Sequence, residues 1–409
     1  MSTTGLAGPG RKAGPAPHDG PAGRMLAIVH RLAADDFTGR RVGTPGGRAA
    51  ANWLVSHLQS LGAVTTTEEF QVHGAVREIC QTPAMFWHHH GRTWRLTHRR
   101  EFAEHLACAA APASVSGELA HMGTDQVQGR WLLATAFSPA QFAEAARRGA
   151  RGILLPRGTD EAGWMPKTIT GPAVAALPVI SVRTDLYQAM TDAAGDEATV
   201  TASMPLRTVD TSGVNIHAVF RSPSPGCPSV LLTAHYDGVG DDPELRHPAA
   251  ADNASGVAAI IEAAHQLATA SDPGIGIAVA LLDAEEAGAH GSAHHAPRLP
   301  AGTLVINLDG AANLDEAAVV EAAGPARTLL EALDQAGLLT GVPLRAGPMP
   351  SDNRRYGAAG HAAIGIGMGL PGYQTPAETP DRVNADTLLA AVGLITATVA
   401  NLNSITTEH

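Results

Sequence analysis

From Val214 onward the chain alternates between two patterns of apolar and polar positions. Short apolar runs bounded by Gly, Asp or Asn recur: SVLLTAHYDG (229–238), GIAVALLDAEE (276–286), TLVINLDG (303–310), AAVVEAAG (317–324) and HAAIGIGMG (361–369). Runs of this length and polarity predict strands buried on both faces. Between them lie segments with apolar residues at helical spacing: SGVAAIIEAAHQLATA (255–270), ARTLLEALDQAG (326–337) and NADTLLAAVGLITATVANL (384–402), the last with Asn384 as its N-cap. Strands alternating with helices predict an α/β fold, a mixed central sheet with helices on both faces.

Upstream, residues 44–63 (TPGGRAAANWLVSHLQSLGA) predict an amphipathic helix ending at a Gly. From Phe70 to Met204 the pattern changes. The β-like runs GRWLLATA, GILLP and LPVISV surround one helix-like stretch, PAQFAEAARRGA, with several Gly/Pro turns. This predicts a β-rich insert at 70–204 inside a domain formed by 26–69 and 205–409. Residues 1–25, rich in Gly, Pro and Ala, predict a disordered arm.

Composition narrows the picture. With 409 residues, two domains are expected. Hydrophobic residues are 44% but aromatics only 4%, so Ala, Val, Leu and Ile must build the core. A formal charge of -11 argues against nucleic acid and for a peptide or small-molecule partner. The three cysteines, Cys80, Cys108 and Cys227, are widely spaced and suggest neither a disulfide framework nor a cysteine-type zinc site. No apolar signal region and no run of about 18 apolar residues stands out. The expectation is a cytoplasmic protein without a membrane partner; its oligomeric state is unreadable.

The polar residues carry the chemistry. Each apolar strand ends in a residue suited to a metal: His235 and Asp237, Glu285 and Glu286, and Asp309, with Asp252 just ahead of a helix. In an open α/β sheet, ligands bind beyond the carboxyl ends of the strands. A single such acid is ordinarily a cap or turn residue. One histidine and several carboxylates at the same edge fit a hydrolytic metal site, with one glutamate holding metal and its neighbour taking a proton from activated water.

These residues, in this order, resemble the M28 family of zinc aminopeptidases and carboxypeptidases through AHYDG, ADNASG, LLDAEEAG, INLDG and YQTPAETPDRV. The segment FAEAARRGARGILLP followed by LPVISV is similar to a protease-associated domain. The resemblance implies a metal-dependent hydrolase acting on a peptide, aminoacyl or amide substrate. It assigns His235 and Asp309 to one zinc, Asp252 as the bridging carboxylate, Glu286 to the other zinc, Glu285 as general base and Asp237 as the acid orienting the histidine. The sequence departs from the family at one place. Where the family has a second histidine ligand, this chain has Gln374. An oxygen-only second site would favour a harder ion than Zn²⁺, or His290, His294 or His295 would substitute, or the site would stay empty. One or two zinc ions are therefore expected. Alternatives are an acyl-transfer or cyclising enzyme on the same scaffold, or a protein with a decayed site.

Further candidates lie near this edge. Arg354 and Arg355 could read a substrate carboxylate, and Tyr373 and His247 could contact substrate. The tract WHHHG (87–91) resembles a metal-binding tract, but consecutive strand histidines point to opposite faces, which predicts simple surface residues.

Overall fold

The computed structural model describes residues 20–270 and 274–407. Residues 1–19 of the expected N-terminal arm lie outside this range. The rest of that arm is ordered: helix α1 (Pro21–Leu32) starts with Pro at N1 and buries Met25, Ile28, Val29 and Leu32. Helix α2 (Pro45–Ser60) follows, with the Thr44 hydroxyl accepting from Gly47 N at 3.0 Å.

Strand β1 (Val64–Ile79) then leads to a second sheet. Its elements are β2 (Ala84–His89), β3 (Arg92–Arg95), β4 (Phe102–Glu104), β5 (Ala111–His121), β6 (Trp131–Leu133), α3 (Pro139–Arg147), β7 (Gly152–Arg157), β8 (Val179–Arg183), α4 (Thr184–Asp192) and β9 (Thr199–Met204). The chain returns through β10 (Leu206–Arg221), β11 (Ser229–His235), α5 (Gly256–Thr269), β12 (Gly276–Leu282), α6 (His290–His295), β13 (Leu304–Leu308), β14 (Ala318–Ala323), α7 (Arg327–Thr340), β15 (Leu344–Ala346), α8 (Asn353–Ala358), β16 (Ala362–Gly367) and α9 (Ala385–Thr407).

The first sheet runs β1-β10-β12-β11-β13-β16-β14-β15. Its centre, β12-β11-β13-β16, is parallel, and antiparallel pairs flank it on both sides. This is the expected mixed sheet. The second sheet runs β3-β2-β9-β5-β6-β7-β8-β4. The boundary between the two differs from the expected Phe70. β1 stays paired with β10 from Val64↔Val219 to Ile79↔Leu206, so residues 70–79 belong to the first sheet. They read as part of the insert because their polar-rich alternation belongs to a strand that leaves the core. The second lobe also carries a second helix, α4, beyond the one expected.

Strand alternation sorts the core. Val230, Leu232 and Ala234 join Ile277, Val279 and Leu281 beneath the layer of α1, α2, α5, α7 and α9, whereas Leu231, Ala280 and Leu282 pack on the opposite face with Tyr356 of α8. The last helix is long and apolar enough to cross a membrane by length and composition, with mean hydropathy 1.5 over Ala385–Leu402, which the sequence reading passed over. Half of that window is buried in the protein, where Leu388, Leu394, Ile395, Val399 and Leu402 complete the core.

A buried ionic cluster joins the lobes. Asp242 accepts from Arg99 Nε at 2.7 Å and pairs with Lys167 Nζ at 2.9 Å, and Arg99 also reaches Glu104 at 2.6 Å. Burial alone would raise Asp242; the charges of Arg99 and Lys167 outweigh it and hold the carboxyl well below its usual range. Lys167 Nζ additionally donates to Gly240 O at 2.8 Å and Asp241 O at 3.1 Å.

Candidate functional site

The order β12-β11-β13 places consecutive strands on either side of β11, a switch point where a crevice opens at the carboxyl edge. The strand-end residues meet there. His235 closes β11, and its Nε2 lies 3.0 Å from Asp252 Oδ1 and 3.4 Å from Asp309 Oδ1. One ligand atom from each of the three falls within 4.8 Å of the others. All three are almost withdrawn from solvent, and a nitrogen with two carboxylate oxygens is a donor set that suits Zn²⁺. Burial opposes charge on His235, but Asp309, Asp237 and Asp252 more than compensate and raise its pKa well above the usual imidazole value.

Asp237 lies past the end of the strand, not in it. Its Oδ1 is 3.4 Å from His235 Nδ1, and its two oxygens accept from Glu285 N (3.1 Å) and Glu286 N (3.2 Å). One carboxylate thus orients the imidazole and fixes the turn carrying both glutamates. That turn begins at Ala284 with φ +60, a region few non-glycine residues occupy. Burial pushes both glutamates well above the ordinary carboxylate range; the surrounding acids add to this and His235 opposes it.

Gln374 arrives from the far loop. Its Nε2 donates to Glu286 Oε2 at 2.5 Å, while its Oε1 is buried and has no hydrogen-bond partner. The group nearest this amide is thus a carboxylate, and both offer oxygen as a donor to a metal. The histidines considered as substitutes do not join this group. His295 bonds the Tyr356 hydroxyl at 2.9 Å, His294 stacks on Phe70, and His290 is not among the residues lining the cleft that holds Glu286 and Gln374.

Sequence reasoning missed several supporting residues. Glu378, four positions after Gln374, accepts from Asp252 N at 2.5 Å and from Gln374 N at 2.7 Å, so one carboxylate sets two opposite walls of the site. Arg40 is fully buried and donates to the carbonyls of Tyr236, Leu32, Pro248 and Ala249. Burial lowers its pKa to about 10, still charged at neutral pH, with Glu378, Asp237, Asp252 and Glu286 favouring that charge. Asn253 Oδ1 accepts from Gly256 N and Gly310 N, tying the Asp252 turn to the end of β13. Lys167, from the second lobe, donates its backbone N–H to Gln374 O at 2.9 Å. The acid in PAETP was visible, but only the fold shows which backbone groups it serves.

A cleft of about 510 Å³ opens over the glutamates, lined by Glu285, Glu286, Tyr373, Gln374, Arg354, Arg355 and, from the second lobe, Thr168 and Thr170. Arg354 is committed to Glu321 through two bonds of 3.0 Å. Arg355 donates to Gly288 O at 2.8 Å and has no carboxylate partner among the described residues. His247 is not at the cleft. It is buried against the ionic cluster between the lobes, with neither ring nitrogen hydrogen-bonded, and burial with the nearby Lys167 charge lowers its pKa to about 3. The loop after β11 meets the second lobe here, through Lys167 and Arg99 on Asp242, and His247 is not among the cleft-lining residues.

Residues 215–399, under half of the chain, match the family model described as Peptidase family M28, a span holding every strand-end ligand candidate and Gln374. A comparison with curated proteins gave no match. Among solved structures, a peptidase M28 precursor from Shewanella amazonensis is 19% identical with a TM-score of 0.72, covering 92% of each chain. A zinc aminopeptidase from Bacillus subtilis is 19% identical with a TM-score of 0.68, covering 92% of this chain and 94% of that one. A glutaminyl cyclase from Fimbriiglobus ruber is 14% identical with a TM-score of 0.51, covering 97% and 99%. At these identities the structural likeness is one of fold, and the sequence match places the candidate site within the M28 region.

Proposed function

We propose that this chain is a metal-dependent hydrolase of the aminopeptidase type, cleaving a peptide or amide bond, with the second lobe acting as a protease-associated domain that walls the cleft. The observation carrying this reading is the convergence of His235, Asp252 and Asp309 at the carboxyl edge of the sheet. These three residues would hold one Zn²⁺; Asp252, Glu286 and the Gln374 amide oxygen would hold a second, harder ion. Bound there, a divalent ion supplies Lewis-acid polarisation of the scissile carbonyl and acidifies water. Glu285 faces the same cleft and takes the proton from the attacking water, then returns it to the leaving amine. Asp237 keeps the glutamate turn and the imidazole in place, and Tyr373 and Arg355 contact substrate at the rim.

The test is hydrolysis of aminoacyl amides and short peptides in H₂¹⁸O after loading with Zn²⁺ or Mn²⁺. One labelled oxygen in the carboxylate product supports water addition. Ring closure or transfer without label would instead favour the acyl-transfer alternative. A Glu285→Gln variant should lose roughly 10²–10⁴-fold in kcat. Full activity in that variant would sink the assignment of the base.

A further inference from the structure

The second sheet carries another cluster of ligand atoms. β2 ends at His89, and its hairpin to β3 turns through His90 and Gly91, both at positive φ (48 and 69). Such a two-residue turn breaks the strand alternation. It swings the His90 ring beside His89, with centroids 3.8 Å apart, where a continuing strand would have sent it to the opposite face. Asp196, in the turn between α4 and β9, meets both. Its Oδ2 lies 3.3 Å from His89 Nε2 and 3.1 Å from His90 Nε2. One ligand atom from each of the three falls within 4.8 Å of the others. His88 points away and bonds Thr93 Oγ1 at 2.8 Å, so it takes no part.

We propose that His89, His90 and Asp196 form a surface site for a late first-row divalent ion, Zn²⁺, Ni²⁺ or Cu²⁺, with its remaining positions open to water. Two imidazole nitrogens and one carboxylate oxygen are the donors such ions prefer, and Mg²⁺ or Ca²⁺ would not take them. His90 and Asp196 are largely exposed, with side-chain accessibilities of 68% and 62%, so an ion reaches the site without rearrangement. Because β2 already pairs with β9, the ion would cross-link the hairpin tip to the turn that starts β9. The site is independent of the hydrolase reading.

The sheet contains its own reporter. Trp87 and Trp94 stack at 4.6 Å, and the Trp87 ring is 6.1 Å from that of His89. Paramagnetic Cu²⁺ or Ni²⁺ bound there quenches their fluorescence. The experiment titrates CuCl₂, NiCl₂ and MgCl₂ into the full chain and into His90→Asn and Asp196→Asn variants, following tryptophan emission and the Cu²⁺ electron paramagnetic resonance spectrum. Saturable quenching is expected with Cu²⁺ tighter than Ni²⁺ and Mg²⁺ silent. Each variant should shift the midpoint by roughly tenfold or more. Asn is chosen at position 90 because it tolerates positive φ, and both changes lie at the surface, so unchanged metal-free emission verifies the fold. Identical quenching curves in wild type and variants, or none up to about 1 mM Cu²⁺, would overturn the site.

Discussion

Replacing Gln374 with histidine tests the reading of the second ligand group most directly. The backbone there is held from both sides, by Glu378 on its N–H and by Lys167 N–H on its carbonyl, so the loop stays put when the side chain changes. Its φ of +53 is one that histidine adopts more readily than most residues. The exchange removes the amide bond to Glu286, a stability loss of about 1 kcal/mol for one hydrogen bond. It supplies a neutral imidazole nitrogen where an orphaned oxygen stood. Because that bond is present before any ion arrives, its loss does not subtract from binding, and a tenfold gain in zinc affinity means that the nitrogen outperforms the amide oxygen by about 1.4 kcal/mol. Equilibrium dialysis against buffered Zn²⁺ with metal analysis should show stoichiometry in Gln374→His rising toward two, and a preference for Zn²⁺ over Mn²⁺. If stoichiometry, affinity and preference all match the wild type in a variant of native circular dichroism, Gln374 does not face an ion and the reasoning fails.

Three further outcomes follow from the geometry. Glu378→Gln keeps one acceptor but sets an amide NH₂ against a backbone N–H, so metal affinity by calorimetry should fall roughly 10–100-fold while the fold survives; unchanged affinity would mean the two backbone bonds do not set the ligands. Arg355→Gln should cut kcat/KM roughly tenfold or more for substrates bearing a free carboxylate and leave amide-capped ones unaffected; an equal loss on both would refute charge recognition. Glu104 is raised by burial but brought down to about 2, chiefly by Arg99 and also by His98. A folded pKa below the unfolded value near 4.5 means its stabilisation is present above that value and drains away as pH falls toward 2. Urea unfolding monitored by the second lobe's tryptophans should therefore lose midpoint between about pH 5 and pH 3, and Glu104→Gln should flatten that dependence. A wild-type midpoint constant over this range would count against it.

The parallel core was readable because it is apolar on both faces: runs such as Ile277–Leu282 have no other use, and the polar residue ending each run stands out. The long β1–β10 ribbon was not, since its exposed, polar-rich alternation resembles the strands of the second sheet. In the site, the convergence of His235, Asp252 and Asp309 at the strand ends was legible from residue type and position. Apart from Asp237, what supports them was not, because Glu378 acts through backbone N–H groups, Arg40 through carbonyls, and Lys167 from another lobe; nothing local in sequence marks those partners. In the three histidines at 88–90, alternation applies to His88 and His89 within β2, while His90 already belongs to the turn.

The ladder of β1 against β10 has a topological consequence. The chain leaves the first sheet at Ile79 and re-enters at Leu206, and those two residues face each other across the ladder. A short turn could join them and leave the first sheet's connectivity intact, at a loop-closure entropy far smaller than that of ordering the intervening chain. In connectivity the second lobe is an appendix. In chemistry it is not: its removal would take away the Lys167 N–H that holds the Gln374 carbonyl and both cations paired with Asp242. A chain shortened at this junction would therefore keep its sheet yet lose an anchor of the loop at 374.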